Sequence, residues 1–251
     1  MIKALVLRTA GTNCDQETLH ALKLGGAEPH LRHLREILSD GSGLSKYRIL
    51  VIPGGFSYGD DVAAGKILAN ELRLKLKAEL AKFVDAKRLV IGVCNGFQVL
   101  VKAGLLPGDA ELSFDQTATL TQNDSGRFQC EWVPVKKEKS RAGWLSALPL
   151  AFDLPIAHGE GKFISKNQEF LKHLEKNRQV ILRYSPGNPN GSTRSIAGIC
   201  NESGNVVGLM PHPERYVTSF QHPAWTSMKA VGSTAGYLFW QGAVKYARSL
   251  S

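Results

Sequence analysis

The chain has 251 residues, of which 43% are hydrophobic and 21% charged, a balance typical of a globular protein rather than a disordered or collagen-like chain. Its 31 Lys and Arg residues against 22 Asp and Glu give a net charge of +9, but the basic residues are scattered along the sequence. We therefore interpret the charge as a solubilising surface with a docking face, and predict no nucleic-acid partner. No apolar run reaches the roughly 18 residues that span a bilayer, so no membrane association is predicted.

The four cysteines are widely spaced, at Cys14, Cys94, Cys130 and Cys200. No two of them have the C-x-x-C spacing, and the histidines complete no recognised ligand set, so no metal site is predicted. So few cysteines in a chain of this length favour a reducing compartment, and we predict a cytoplasmic location. Cys130 and Cys200 are predicted to lie in the core, and Cys14 in a loop.

The first half of the chain alternates predicted strands with predicted helices. The strands are short apolar runs at residues 2–7, 48–52 and 88–93. The helices that follow them are predicted from an N-cap at Asn13 to Gly25, over 62–86, and over 95–103. This alternation is typical of βαβ units around a parallel sheet.

The second half has a less regular pattern. The predicted elements are a strand at 128–135, a loop at 188–191, an antiparallel hairpin of 195–201 with 205–210, and a closing helix at 232–250. No linker or repeat interrupts the sequence. We therefore predict a single α/β domain over residues 1–251, with a mostly parallel open sheet, helices on both faces and a smaller antiparallel part.

Cys94 stands where a predicted strand meets a predicted helix, in the segment Gly-Val-Cys-Asn-Gly. This is the thiol version of the G-x-S-x-G elbow, a turn so tight that it requires the flanking glycines. The turn exposes the thiol at the carboxyl edge of the sheet, and the helix N-terminus favours the thiolate. The backbone N–H of Asn95 is predicted to point toward an oxyanion beside the sulfur. A buried structural cysteine is the alternative interpretation.

A cysteine nucleophile needs a base, and the best candidate is His212 in Met-Pro-His-Pro-Glu-Arg, directly after a predicted strand. The following proline biases His212 toward an extended backbone, which places residues i and i+2 on one face. Glu214 can therefore accept from one imidazole nitrogen and orient the other toward the thiol. A turn histidine beside a solvated glutamate is the alternative.

Two glycine-rich segments complete the candidate site. The segment 53–60, Pro-Gly-Gly-Phe-Ser-Tyr-Gly-Asp, follows a buried strand, and the N–H of Gly55 is predicted as a second oxyanion donor. The segment lacks the spacing of a phosphate-binding loop, and a simple turn is its alternative. His158 and Glu160 lie between glycines, where they could bind the polar ends of a small substrate or form a second acid/base pair.

The Cys94 elbow, the glycine loop and the His-Pro-Glu segment together resemble the class I, or triad, glutamine amidotransferases. Within that class, the segments 11–15, 53–60 and 157–161 are similar to the glutaminase subunits of phosphoribosylformylglycinamidine synthases, enzymes of purine synthesis. The resemblance runs from residue 2 to at least residue 216.

The resemblance implies a flavodoxin-like fold and a glutaminase mechanism. Cys94 would attack the side-chain amide of glutamine to form a γ-glutamyl thioester, with His212 as base and then acid and Glu214 holding His212. Glutamine would bind near Gly55 and Gln98.

The same resemblance implies that ammonia passes to a large synthetase subunit, which converts formylglycinamide ribonucleotide to the amidine. ATP and Mg²⁺ are then expected on that partner, and no cofactor on this chain. The sequence leaves open whether a third small subunit joins the complex.

Three other functions stay open at this point. The chain could be a glutaminase for a different synthetase, such as those that make GMP, CTP or anthranilate, although the long glycine loop and the segment 157–161 speak against this. It could be a non-catalytic regulatory module on the same fold. A cysteine protease would use the same thiol–imidazole chemistry, but no papain-like or caspase-like signature surrounds Cys94.

Overall fold

A computed structural model describes residues 1–39, 43–108, 113–227 and 232–250. The strands are β1 (Ile2–Arg8), β2 (Ala27–His33), β3 (Ile49–Ile52), β4 (Leu89–Val93), β5 (Ala118–Thr121), β6 (Gln129–Lys137), β7 (Ala151–His158), β8 (Lys162–Ser165), β9 (Val180–Tyr184), β10 (Ile196–Cys200) and β11 (Val206–Leu209). The helices are α1 (Asp15–Leu24), α2 (Leu34–Ser39), α3 (Lys66–Lys75), α4 (Lys77–Asp85), α5 (Asn95–Lys102), α6 (Gln168–Lys176) and α7 (Ala235–Ser249).

A nine-stranded sheet with the order β2-β1-β3-β4-β11-β10-β9-β6-β7 organises the molecule. Its first five strands are parallel, in the arrangement of flavodoxin-like sheets. The strands β10, β9, β6 and β7 extend the sheet in antiparallel fashion, and β5 and β8 form a separate antiparallel pair. The predicted fold class is therefore confirmed, including the antiparallel part.

Helices cover the parallel half of the sheet in two layers. One layer contains α1 and α7, which contact each other and β1, and the other contains α3 and α5, with α5 on β3 and β4. Every residue of β3 and β4 is buried, because both faces of these strands are covered. Complete burial explains why both strands are continuous apolar runs in the sequence. No helix in the described part of the chain is long and apolar enough to cross a bilayer.

Several element boundaries differ from the sequence-based predictions. The helix predicted over 62–86 is two helices, α3 and α4, which meet at Leu76, whose φ of −126° and ψ of 11° are not helical. The first helix is preceded by Cys14 rather than Asn13, and no side chain caps it. Strand β2 was not predicted, since it lies at the edge of the sheet, is only half-buried and mixes polar with apolar residues.

The predicted hairpin is confirmed as β10 with β11, and Cys200 is buried as predicted. The prediction for Cys130 is wrong, because this cysteine is exposed. Residues 129–134 of β6 pair with β7 alone, whereas only the end of the strand, residues 135–137, also pairs with β9. Cys130 therefore lies at the thin, two-stranded corner of the sheet, where little covers it.

The parallel strands β1, β3, β4 and β11 are neighbours, and each is followed by a segment that the sequence singled out. At this carboxyl edge the segments are tied to one another by backbone hydrogen bonds. The N–H groups of Asn13 and Cys14 donate to the carbonyl of Gly54 at 3.4 and 3.2 Å, and Phe56 N donates to Gly11 O at 2.9 Å. Backbone hydrogen bonds and strand order alone therefore bring the candidate catalytic segments together at this edge.

Two glycines allow the elbow between β4 and α5 to form. A Cβ on Gly92 would lie 2.5 Å from the carbonyl oxygen of Gly96, and a Cβ on Gly96 would lie 1.8 Å from the carbonyl oxygen of Ile52. Both contacts are with backbone atoms, which cannot rotate out of the way. The N-terminus of α5 can therefore approach β3 this closely only because residue 96 has no side chain.

The substitution Gly96→Ala tests this constraint. Because the backbone of β3 or α5 must move, we expect a destabilisation of at least about 3 kcal/mol, which for a chain of this size lowers Tm by roughly 6–12 °C. Scanning calorimetry measures the change. Gly143→Ala is the matched control, since nothing lies within 4 Å of the added methyl group. Equal melting temperatures for the two variants would contradict the close approach at the elbow.

Candidate active site

Cys94 occupies the elbow between β4 and α5 with φ 52° and ψ −107°, a backbone conformation that residues other than glycine rarely adopt. Its side chain is 5% exposed and lines cavities on the carboxyl edge of the sheet. The thiol points to the carbonyl oxygen of Ala157 at 3.6 Å. A strained backbone that aims a thiol into a cavity is typical of a catalytic nucleophile.

His212 and Glu214 follow β11 and lie beside Cys94. Nδ1 of His212 is 2.6 Å from Oε1 of Glu214, and both side chains are buried. The backbone N–H of His212 donates to Pro155 O at 2.9 Å, which fixes the segment to β7. The remaining ring nitrogen, Nε2, is buried and has no hydrogen-bond partner among the described residues. The extended backbone expected at His212 is present, with φ −104° and ψ 91°.

The charges around His212 favour its protonated form. Burial by itself lowers the pKa of His212, but the Glu214 carboxylate and the neighbouring Cys94 outweigh it and hold the pKa well above its usual value. An imidazole with this preference takes a proton from a thiol readily. The structure thus brings the three predicted catalytic residues together in the order nucleophile, base and orienting acid.

The two predicted oxyanion donors lie close to the thiol. Gly55 lines the same cavities as Cys94, and Asn95 is the first residue of α5. The Asn95 side chain has a separate structural role, because its Oδ1 accepts from Ser57 N at 3.2 Å and its Nδ2 donates to Asp60 Oδ1 at 3.2 Å. These bonds hold the glycine loop against the helix N-terminus. The roles of the Gly55 and Asn95 N–H groups as oxyanion donors stay predictions.

A cavity of about 230 Å³ extends from Cys94 and suits a small amino acid. The predicted substrate-binding residues lie in its wall: Gln98, His158 and Glu160. The Gln98 amide is already committed, because its Nε2 donates to Glu160 O at 2.6 Å and its Oε1 accepts from Asn95 Nδ2 at 3.0 Å. Gln98 therefore shapes the wall and fixes the backbone at Glu160.

Charged groups gather in and behind the wall of this cavity. The Glu160 carboxylate accepts from Ala64 N at 3.3 Å and lies 3.7 Å from Nζ of Lys102. Burial lowers the pKa of Lys102 and raises the pKa of Asp60, which also lines the cavity. Asp60 closes the glycine segment 53–60, but no role was predicted for its carboxyl group, and Lys102 lies in no motif. Both approach Glu160 only through tertiary folding.

His158 is held as a neutral, buried ring in the cavity wall. Asn123 donates through Nδ2 to the carbonyls of Arg127 and His158 at 2.9 Å, so its Oδ1 is an acceptor and the 3.1 Å contact places a proton on His158 Nδ1. Burial, reinforced by His212, lowers the pKa of His158 to about 4. A ring that stays uncharged at neutral pH favours a packing and positioning role over a second acid/base pair.

A second cavity, of about 180 Å³, adjoins the first at Cys94 and is lined by Asn13, Cys14, His212 and Arg215 among others. The Sγ of Cys14, a ring nitrogen of His212 and a carboxylate oxygen of Glu214 lie within 4.8 Å of one another, which is a possible metal-binding set. Nδ1 of His212 and Oε1 of Glu214 share a 2.6 Å hydrogen bond, which is the arrangement of an orienting acid on a base rather than of two ligands on one ion.

The sequence model of the CobB/CobQ-like glutamine amidotransferase domain matches residues 1–247. The chain belongs to this family. A relative from Dehalococcoides mccartyi, phosphoribosylformylglycinamidine synthase subunit PurQ, is 43% identical over 99% of both chains. The PurQ subunit of Treponema denticola is 44% identical over 86% of this chain and 88% of its own.

Solved structures have the same glutamine amidotransferase fold. The structure of PurLQS from Thermotoga maritima contains a chain that is 35% identical, with a TM-score of 0.77 and 98% coverage of both chains. A more distant glutamine amidotransferase from the same organism is 14% identical and has a TM-score of 0.53, over 99% of this chain and 93% of its own. The latter similarity extends to the fold alone.

The neutral state of His158 in this amidotransferase domain predicts a pH-dependent stability. The folded protein keeps His158 unprotonated to about pH 4, whereas the unfolded chain protonates it near 6.5. The unfolded state therefore binds the extra proton between these values, and stability is lost as the pH falls from about 6.5 to 4, by about 3 kcal/mol for this residue. We expect the free energy of unfolding of His158→Gln, measured by urea unfolding, to fall less over this pH window than that of the wild type.

The exposed His173, whose side chain is 52% accessible, gives the matched control, and His173→Gln should retain the wild-type slope. Unfolding curves of His158→Gln that follow the wild-type pH dependence would contradict a neutral buried His158.

Proposed function

We propose that the chain is the glutaminase subunit of a phosphoribosylformylglycinamidine synthase. It hydrolyses glutamine to glutamate and ammonia for a synthetase partner. The observation that carries this function is the convergence of the Cys94 elbow with the buried His212–Glu214 pair, in a chain whose PurQ relative aligns over 99% of its length. The same convergence speaks against a regulatory module, which has no need of a strained nucleophile.

The chemistry proceeds through a covalent thioester. His212 takes the proton of the Cys94 thiol, and the sulfur attacks the side-chain carbonyl carbon of glutamine. The carbonyl oxygen becomes an oxyanion that the N–H groups of Gly55 and Asn95 stabilise. His212 then gives its proton to the departing nitrogen, which leaves as ammonia. A water molecule, deprotonated by His212, hydrolyses the γ-glutamyl thioester and releases glutamate.

The charges of the larger cavity suit the other end of the substrate. Asp60 and Glu160 line the cavity that begins at Cys94, and we assign the ammonium group of glutamine to these two acidic residues. Lys102 limits the local negative charge behind Glu160. Glutamine thus lies with its amide at the thiol and its α-amino group toward these carboxylates, while Gln98 and His158 hold the wall in place.

The ammonia is used by a partner. The related Thermotoga maritima structure is named PurLQS, and this chain corresponds to its PurQ component beside the synthetase subunit PurL and the small subunit PurS. We place ATP and Mg²⁺ on the synthetase, since this sequence contains no phosphate-binding loop. We propose a cytoplasmic location, since a reducing compartment keeps Cys94 as the thiol that this chemistry needs.

An ammonia-bypass experiment tests this function. In the assembled synthase, Cys94→Ser should lower glutamine-dependent synthesis of formylglycinamidine ribonucleotide by at least about 10³-fold, because the nucleophile is lost. Synthesis from added ammonium chloride should remain within twofold of wild type, because the synthetase is intact. Product formation and glutamate release are measured in parallel.

Cys200→Ser, at a buried cysteine of the sheet, should retain both activities and is the matched control. Retention of glutamine-dependent synthesis by Cys94→Ser would contradict the proposal. Activation of the chain by a different ammonia-using synthetase, but not by this one, would contradict the choice of partner.

A further inference from the structure

The buried thiol of Cys14 is a reactive group that the mechanism above does not use. Its side chain is 1% exposed, and it precedes α1 at the N-cap position. Side chains at this position usually accept a hydrogen bond from the helix backbone, but Cys14 makes no such bond. Capping of α1 therefore does not account for a cysteine at this position. The contacts of the sulfur give another reason for it.

The sulfur of Cys14 is fixed by two polar neighbours. The thiol donates to Asn13 Oδ1 at 3.3 Å and accepts from Nη2 of Arg215 at 3.2 Å. Arg215 is itself held by Glu17, at 2.6 Å from Nε to Oε1. The backbone N–H of Cys14 donates to Gly54 O at 3.2 Å, so the residue is anchored to the glycine loop as well.

The third neighbour of this sulfur is the catalytic base. Sγ of Cys14 lies within 4.8 Å of both a ring nitrogen of His212 and a carboxylate oxygen of Glu214. A Cβ on Gly54 would lie 2.9 Å from Sγ of Cys14 and 2.9 Å from Cε1 of His212. The sulfur and the Cε1 side of the ring therefore both border the space above the bare Cα of Gly54.

We propose that Cys14 is a positioning residue that holds the His212 imidazole in its catalytic orientation. The imidazole can turn about its Cβ–Cγ bond, and the single hydrogen bond from Nδ1 to Glu214 resists this rotation at one atom only. The sulfur and the Gly54 backbone block this rotation on the Cε1 side of the ring, so that Nε2 stays directed at Cys94. This inference rests on the proposed function, because it concerns the base of the same reaction.

Sulfur suits this place for two physical reasons. It is large and polarizable, so it can pack against the ring edge while it accepts a hydrogen bond from the Arg215 guanidinium. It also stays neutral, since burial raises the pKa of Cys14 and keeps it a thiol beside the reactive Cys94.

The test compares Cys14→Ala with Cys14→Ser in the complex with the synthetase, by the steady-state kinetics of glutamate release. We expect Cys14→Ala to lower kcat about 10-fold with KM for glutamine within about twofold, because the ring loses its orientation and the substrate cavity is untouched. Cys14→Ser should recover kcat in part, to within about threefold of wild type, because the hydroxyl keeps a polar atom beside the ring, held by the same two hydrogen bonds, although it is smaller than sulfur.

Cys200→Ala is the matched control, because it removes another fully buried thiol, far from His212 in the sheet. It should keep the wild-type kcat, and melting temperatures of all variants separate catalytic from folding effects. A wild-type kcat in Cys14→Ala, a loss confined to KM, or an equal loss in Cys200→Ala would each overturn the inference. Absence of glutamate release from the wild-type complex would instead contradict the proposed function.

Discussion

The site depends on one close approach, that of the N-terminus of α5 to the carbonyl oxygen of Ile52 on β3. Because Gly96 has no side chain, the chain can turn from β4 into α5 within the single residue Cys94. The positive φ of Cys94 costs free energy. The burial of the apolar strands β3 and β4 on either side offsets this cost. This turn puts the thiol beside the glycine loop and the segment after β11, and the remaining features of the site follow from it.

The charged groups of the site fall into two sets, one at the thiol and one away from it. At the thiol, the buried His212–Glu214 pair keeps a proton available, and a neutral His158 in the cavity wall adds no second positive charge. Away from the thiol, the acidic residues Asp60 and Glu160 line the same cavity. A buried charge is costly unless it is paired, so this separation depends on the partners of each group.

The parts of the site that are formed by residues close together in the chain could be predicted from the sequence. The elbow is encoded in five consecutive residues, and the pairing of His212 with Glu214 needs only an extended backbone between them. Cys14 could not be predicted in this way, because its partner Arg215 lies 201 residues away. The break at Leu76 was equally hidden, since good helix formers surround it and its burial does not set it apart from Leu72 and Leu80.

The most direct test of the whole account is covalent labelling by 6-diazo-5-oxonorleucine, an electrophilic mimic of glutamine, located by mass spectrometry in the assembled synthase. The account predicts one adduct, on Cys94, that excess glutamine prevents and that is lost in His212→Ala. Cys14 should remain unlabelled although it is a buried thiol in the same pair of cavities. An adduct on Cys14, Cys130 or Cys200, or labelling of Cys94 that does not depend on His212, would contradict the triad.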